Sequence, residues 1–276
     1  MKKWNKKRLF LFFLFVLVPL IPFSYVQNNV LTITKLKVQS AKIPATFDGY
    51  RIVQLSDLHS HSFGERQHRL AERVKQEKPD IIVYTGDLID LRKGGASAGY
   101  ELMEEMVKIA PVYFVTGNHE WHVFEEQEKR LQAISVQVLR NEGTSLQRGG
   151  ETIRLFGIDD PMMTGTEEAL EKARPPAGQP SLYTILLSHR PELFSLYEKA
   201  GMDLVFSGHA HGGQIRLPFV GGLYAPGQGF LPDYTAGAYT RGSSTMIVSR
   251  GLGNSLAPQR IFNRPEMIVA VLKRAQ

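Results

Sequence analysis

Five apolar runs in this 276-residue chain each end in one or two small residues, followed by a side chain able to ligate a metal. The run 51–56 leads to Asp57 and His59, 80–86 to Asp87, and 112–117 to Asn118 and His119; 183–188 leads to His189 and 203–208 to His209 and His211. Short apolar stretches rich in β-branched residues read as buried strands, so the residues just after each one sit in a loop at its carboxyl end. That edge is where α/β sheets hold ligands. The pattern confines the chain to an α/β sheet whose carboxyl edge gathers two Asp, one Asn and four or five His.

Helical patterns at 65–77, 98–109 and 121–134 alternate with strands at 51–55, 81–85 and 112–116, which is βαβ order in a mainly parallel sheet. A leading strand is expected over 28–40. Beyond 135, short strands at 136–139, 145–147 and 152–158, punctuated by Gly143, Gly149 and Gly150, predict a second, mixed sheet packed on the first. The Arg/Pro/Gly stretch 174–180 reads as a surface connector without a domain boundary. Residues 212–242, rich in Gly and Pro, are longer than an ordinary connection and come directly after two ligand candidates. They read as a lid or substrate wall.

The amino terminus is a different kind of segment. Lys2, Lys3, Lys6, Lys7 and Arg8 precede an apolar stretch over 9–26, and no further charge appears until Lys35. Eighteen such residues just span a bilayer, and 24–29 offer no small-x-small cleavage site, so residues 1–27 are expected to be an uncleaved signal anchor. The basic flank then stays inside, and the body, 28–276, lies outside the cytoplasm on a single-pass cell-membrane anchor. Of the net charge of +6, those five basic residues supply +5, leaving 6 − 5 = +1 for the rest. A near-neutral body argues against nucleic acid as a partner.

There is no cysteine, so any metal must rest on imidazole, carboxylate and amide oxygen. Such a set can hold two divalent ions about 3.5–4 Å apart, the arrangement used to hydrolyse phosphate esters. The blocks Asp57-Leu58-His59, Gly86-Asp87, Gly117-Asn118-His119-Glu120, His189 and Gly208-His209-Ala210-His211, in this order, resemble the calcineurin-like metallophosphoesterase family. The resemblance runs over about 48–272, including Arg250-Gly251-Leu252-Gly253 and a final strand over 267–272.

The resemblance implies a four-layer α/β/β/α sandwich with two packed mixed β-sheets. It implies one metal on Asp57, His59, Asp87 and His211, and a second on Asp87, Asn118, His189 and His209. Manganese, iron and zinc all suit these donors. A metal-activated hydroxide would attack phosphorus, His119 would protonate the departing alkoxide, and Glu120 would orient or stabilise the His119 imidazolium. Asp90-Leu91-Arg92 stands where the phosphoprotein phosphatases have Asp-Arg-Gly, which speaks against a phosphoprotein substrate. The hydrophobic leader and the Gly-Gly-Gln-Ile-Arg-Leu-Pro loop at 212–218 also resemble UDP-2,3-diacylglucosamine pyrophosphatases, pointing to an envelope or lipid-linked phosphomonoester, phosphodiester or pyrophosphate.

Two other readings compete: a cytoplasmic-facing nucleotide or nucleic-acid phosphodiesterase, and a non-catalytic metal-binding envelope module. The presence of every ligand type weighs against the second. His61 reads equally as a pocket residue or an exposed loop residue, His122 first as a helix-start residue beside Trp121 and second as a pocket residue, Asp90 as a supporting carboxylate or a turn cap, Arg92 as a phosphate contact, and His68 as a surface residue. Oligomeric state has no signature in the sequence.

Overall fold

The computed structural model describes residues 6–90, 92, 95–121, 124–173, 182–255 and 257–275. Helix α1 (Lys6–Asn29) leads into β1 (Thr32–Ser40), β2 (Arg51–Leu55), α2 (His68–Gln76), β3 (Ile81–Thr85), α3 (Ser97–Met106), β4 (Val112–Val115), α4 (Phe124–Ala133) and β5 (Gln137–Val138). Then come β6 (Glu142–Arg148), β7 (Glu151–Gly157), α5 (Thr166–Ala173), β8 (Thr184–Leu187), α6 (Phe194–Lys199) and β9 (Leu204–Ser207). Two small hairpins come next, β10 (Arg216–Leu217) with β11 (Gly221–Gly222) and β12 (Tyr224–Ala225) with β13 (Gly229–Phe230). The chain closes with β14 (Gly237–Arg241), β15 (Ser244–Val248) and β16 (Glu266–Arg274).

The first sheet has the order β1-β16-β2-β3-β4-β5 and the second β14-β15-β9-β8-β7-β6. Strands β2 to β5 are parallel, as are β7, β8, β9 and β15. Both sheets are therefore mixed only at their margins, where β16 runs antiparallel to β2, β14 to β15, and β6 to β7.

Parallel strands of this kind must be covered on both faces, and the side chains divide with period two. In β3, Ile81 and Val83 enter the core between the sheets, whereas Ile82 and Tyr84 pack against helices. In β9, Leu204 and Phe206 face the other sheet, and Val205 faces the opposite helical layer. Leu70 and Val74 of α2, Met103 and Met106 of α3, and Leu131 of α4 cover the first sheet. Leu170 of α5 and Tyr197 of α6 cover the second. The result is the expected four-layer α/β/β/α sandwich.

Three local expectations change. Residues 136–139 do not open the second sheet: β5 adds to the first beside β4, where Val138 joins the core under α4. The leading strand begins at Thr32 instead of 28, because the amide of Val30 still bonds the carbonyl of Val26 and Asn28 is held by Arg260 and Pro258. The helix expected over 65–77 starts at His68, because Gln67 takes φ 59° and its side chain bonds Phe63, His61 and Ala98. His122 and the connector 174–180 lie outside the described residues.

Phe206 is fully buried between the sheets. Phe206→Ala should lower the unfolding free energy by about 3–5 kcal/mol, read as a shifted midpoint in chemical denaturation.

Candidate metal centre

Five of the seven ligand candidates sit on a backbone kink just beyond their strands. Asp57, His59, Asp87, His209 and His211 all have φ between 47° and 64°, a left-handed conformation that costs non-glycine residues on the order of 1–3 kcal/mol each. These kinks turn consecutive side chains off the sheet edge into one pocket. The loops also approach too closely for side chains at every position. A Cβ on Gly86 would stand 2.6 Å from the Gly117 amide nitrogen and 2.7 Å from the His189 ring.

Among the described residues the ligand candidates gather in two donor clusters, beside a third metal-competent group of His59, Asp90 and His119. Asp57, His59, Asp87 and His211 place one ligand atom each within 4.8 Å of one another, and so do Asp87, His189 and His209. Asp87 belongs to both: its Oδ2 is 3.4 Å from His59 Nε2 and 3.3 Å from His189 Nε2. His59 and His211 face each other through Nε2 atoms 3.0 Å apart, and His209 Nδ1 is 3.1 Å from His189 Nε2. Asn118 lies beyond β4 in the same loop as His119, and its Oδ1 is buried without a hydrogen-bond partner. His211 Nδ1 is likewise buried and unpartnered. Converging imidazole nitrogens, two carboxylates and an unsatisfied amide oxygen fit cations of the nitrogen- and oxygen-binding class.

Surrounding groups fix the orientation of these donors. His189 Nδ1–H donates to the Thr85 carbonyl at 2.7 Å, which turns Nε2 toward Asp87. Asp57 accepts from Ser56 Oγ at 2.5 Å and from the His209 amide at 3.1 Å. The His119 amide donates to Asp87 Oδ1 at 2.9 Å. The His119 ring stands edge-on to His59, with centroids 4.7 Å apart.

Glu120 has a different place from the one expected. Its buried carboxylate accepts the amides of Gly117, Asp87 and Leu88 at 2.7, 2.9 and 2.8 Å, so it staples two ligand loops together. The carboxylate beside the His119 ring is Asp90, with Oδ1 3.8 Å from Nδ1. Asp90 also lies 3.9 Å from His59 Nδ1 and accepts a two-pronged pair from Arg92 at 2.8 and 2.7 Å. Arg92 is thus committed to Asp90. His61 packs its ring against Phe63, and His68 is exposed at the start of α2.

Sequence reasoning missed three supports. Arg190, paired with Asp160 at 2.6 and 3.0 Å, places Nη1 3.0 Å from His209 Nε2. Arg260, almost wholly buried, donates to Arg250, Asn263 and Gly253 carbonyls and to Asn254 Oδ1. Asn263 Nδ2 donates to the His211 carbonyl at 2.7 Å. Arg190 directly follows a ligand block, whereas Arg260 and Asn263 lie far from any in the sequence, so nothing local separates them from surface residues.

Burial and neighbouring charge divide the titrating groups. Burial raises Asp57 to about 7, against the pull of His189. Burial would raise Asp87 as well, but His189, followed by His59 and His119, outweighs it and holds this carboxylate well below its ordinary range. His189 rises to about 10, because Asp87 and Asp57 outweigh the effect of burial. Burial and then Arg260 push His211 down to about 3, and burial with His189 and Arg190 keeps His209 neutral. Burial and then Asp87 raise Glu120 to about 7.

Comparison with known proteins agrees with this geometry. The family model of the calcineurin-like phosphoesterases matches residues 50–213, more than half of the chain. The chain belongs to that family. It is therefore a metal-dependent phosphoesterase, of a family that uses divalent metals. It is 31% identical over 256 residues to the metallophosphoesterase YkuE of Bacillus subtilis, covering 90% of this chain and 88% of that one. It is 30% identical over 232 residues to the phosphodiesterase YaeI of Escherichia coli, covering 81% and 82%. A zebrafish (Danio rerio) transmembrane protein with a metallophosphoesterase domain is 28% identical over 88% of this chain and 57% of its own length. The NAD nucleotidase of Haemophilus influenzae shares the fold, with a TM-score of 0.52 at 14% identity over 74% of this chain and 45% of that one.

Ligation requires neutral imidazole, so a cation at His189 must displace the proton that this residue carries below about 10 in the metal-free phosphoesterase. Metal affinity should therefore rise with pH up to about 10 and level off above it, with Asp57 adding a second proton release below about 7. Calorimetric titration in buffers of different ionisation heat would count those protons.

Proposed function

We propose that this phosphoesterase works with two divalent ions, one held by Asp57, His59, Asp87 and His211 and the other by Asp87, Asn118, His189 and His209. The observation that carries this reading is the shared Asp87 carboxylate between two otherwise separate donor clusters. Bound there, the ions would lower the pKa of a water for attack at phosphorus and offset charge on the phosphoryl oxygens. Manganese, iron and zinc all suit the donor set.

The chain's own groups have distinct tasks. Asp87, negative at neutral pH and gripped by the His119 amide, offsets the repulsion between two cations. His119, 18% exposed at its side chain, is open to substrate where the ligand imidazoles are closed off. We assign it the proton for the departing alkoxide, delivered from a ring that Asp90 faces. Glu120 holds the loops that carry Asp87 and Asn118 and acts through them. Arg190 is a further cation beside the second cluster.

The substrate class we favour is an envelope or lipid-linked phosphate: a monoester, a diester or a pyrophosphate of the kind cleaved by UDP-2,3-diacylglucosamine pyrophosphatases. It is supported by an apolar helix, Phe10–Asn29, the one among the described residues long and apolar enough to cross a membrane, and by the transmembrane relatives. In this reading residues 1–27 are an uncleaved single-pass anchor and 28–276 the catalytic domain, outside the cytoplasm.

Asp87→Asn should cost both ions and nearly all activity; elemental analysis showing normal metal content in a folded variant would contradict the shared-carboxylate assignment. His119→Gln should keep its metals but slow esters with poor leaving groups by about a hundredfold or more, and activated aryl esters far less. Equal losses on both substrates would remove His119 from the proton-transfer step.

A further inference from the structure

The segment after His211 carries the most exposed apolar side chains of the catalytic body. Phe219 is 108% exposed, Phe230 83%, Leu231 67%, Phe262 58% and Val220 55%. In a soluble protein such tips are isolated accidents, but here they are joined by hydrogen-bonded backbone. Ile215 forms a bridge with Ile261, and the Arg216 amide bonds the Ile261 carbonyl at 3.0 Å, so the β10-β11 hairpin hangs beside Phe262. The Leu223 amide bonds the carbonyls of Gly213 and Ile215, and the Leu231 amide bonds the Leu223 carbonyl, which locks the β12-β13 hairpin to the first.

This surface is continuous with α1. Phe262 stacks edge-on against Phe23, with centroids 5.7 Å apart. Phe23 lies six residues before the end of the helix at Asn29, or about 9 Å along its axis, and the uncharged apolar stretch runs on past it to Val26. Phe262 is therefore level with the part of α1 that the bilayer would cover, not with the polar turn of Gln27, Asn28 and Asn29. Anything that surrounds Phe23 with acyl chains reaches Phe262 and, next to it, the hairpin tips.

We propose that the two hairpins and Phe262 form a second membrane contact, a lipid-bilayer docking surface through which the lid lies in the interface beside the anchor. The proposal rests on reading α1 as a membrane anchor. The occupant is a bilayer and not a protein: the exposed pairs Phe219-Val220 and Phe230-Leu231 sit at hairpin turns, and through the Phe23–Phe262 contact the patch continues the apolar surface of the anchor helix itself. Because the hairpin segment begins directly after His211, docking would set the metal pocket at the membrane surface, where a phosphate headgroup lies.

The absence of cysteine permits a direct test in the full chain. Phe219→Cys, Phe230→Cys and, as a control on the exposed face of α4, Gln132→Cys would each carry a nitroxide. The labelled chains are reconstituted into vesicles of phosphatidylcholine with a minority of phosphatidylglycerol. Docking predicts a several-fold higher ratio of oxygen to nickel-chelate accessibility at 219 and 230 than at 132. Flotation with the vesicles together with equal ratios at all three positions would overturn the docking surface and leave the anchor standing. Failure to float would overturn both. Dipolar broadening at 219 with retained access to the nickel chelate would identify a second copy as the occupant and overturn the bilayer. None of these readouts depends on the hydrolytic reading of the site.

Discussion

One buried carboxylate organises the pocket. Asp87 sits on a kinked residue between parallel strands and faces an imidazole from each side: His59, just past the neighbouring strand of its own sheet, and His189, from the opposite sheet. An isolated carboxylate at this depth would cost several kcal/mol, and it is tolerated only because positive charge is close. His189, which Asp87 and Asp57 hold toward its protonated form, supplies that charge, and the same position suits a cation. The backbone strain at five ligand candidates, the glycines where loops cross and the stapling by Glu120 all serve to hold groups that would otherwise repel one another.

The two sheets matter because each supplies part of this arrangement. Asp57, His59, Asp87, Asn118 and His119 come after strands of the first sheet, whereas His189, His209 and His211 come after strands of the second. Packing through Val83, Ile185, Leu204 and Phe206 brings the two carboxyl edges together, so the pocket exists only when the sandwich is closed. Core packing and donor geometry are thus one problem.

Much of this was readable from local pattern. Strands β2 and β3 fall where the apolar runs put them, and the Asp and His ligand candidates meet in two clusters joined at Asp87, because strand burial and the loop beyond it are both short-range properties. What failed was long-range. A two-residue strand such as β5 carries no period of its own, and its sheet is chosen by the space beside β4. Glu120 looked like a partner for its neighbour His119, but the hydrogen-bond demand of three converging amides claimed it instead, and Asp90, thirty residues earlier in the chain, faces the ring. Arg260 gained its role from carbonyls that only the folded loop presents.

The last turn of α1 is also tied to the interior. Gln27 Oε1 accepts the Asn263 amide, Asn28 Oδ1 accepts the Arg260 amide, and Asn263 in turn holds the His211 carbonyl. The helix thereby doubles as a clasp: a truncation starting after Asn29 would unbuckle the loop that carries the ligand candidate His211. Biochemistry on such a trimmed fragment would report on a slackened pocket.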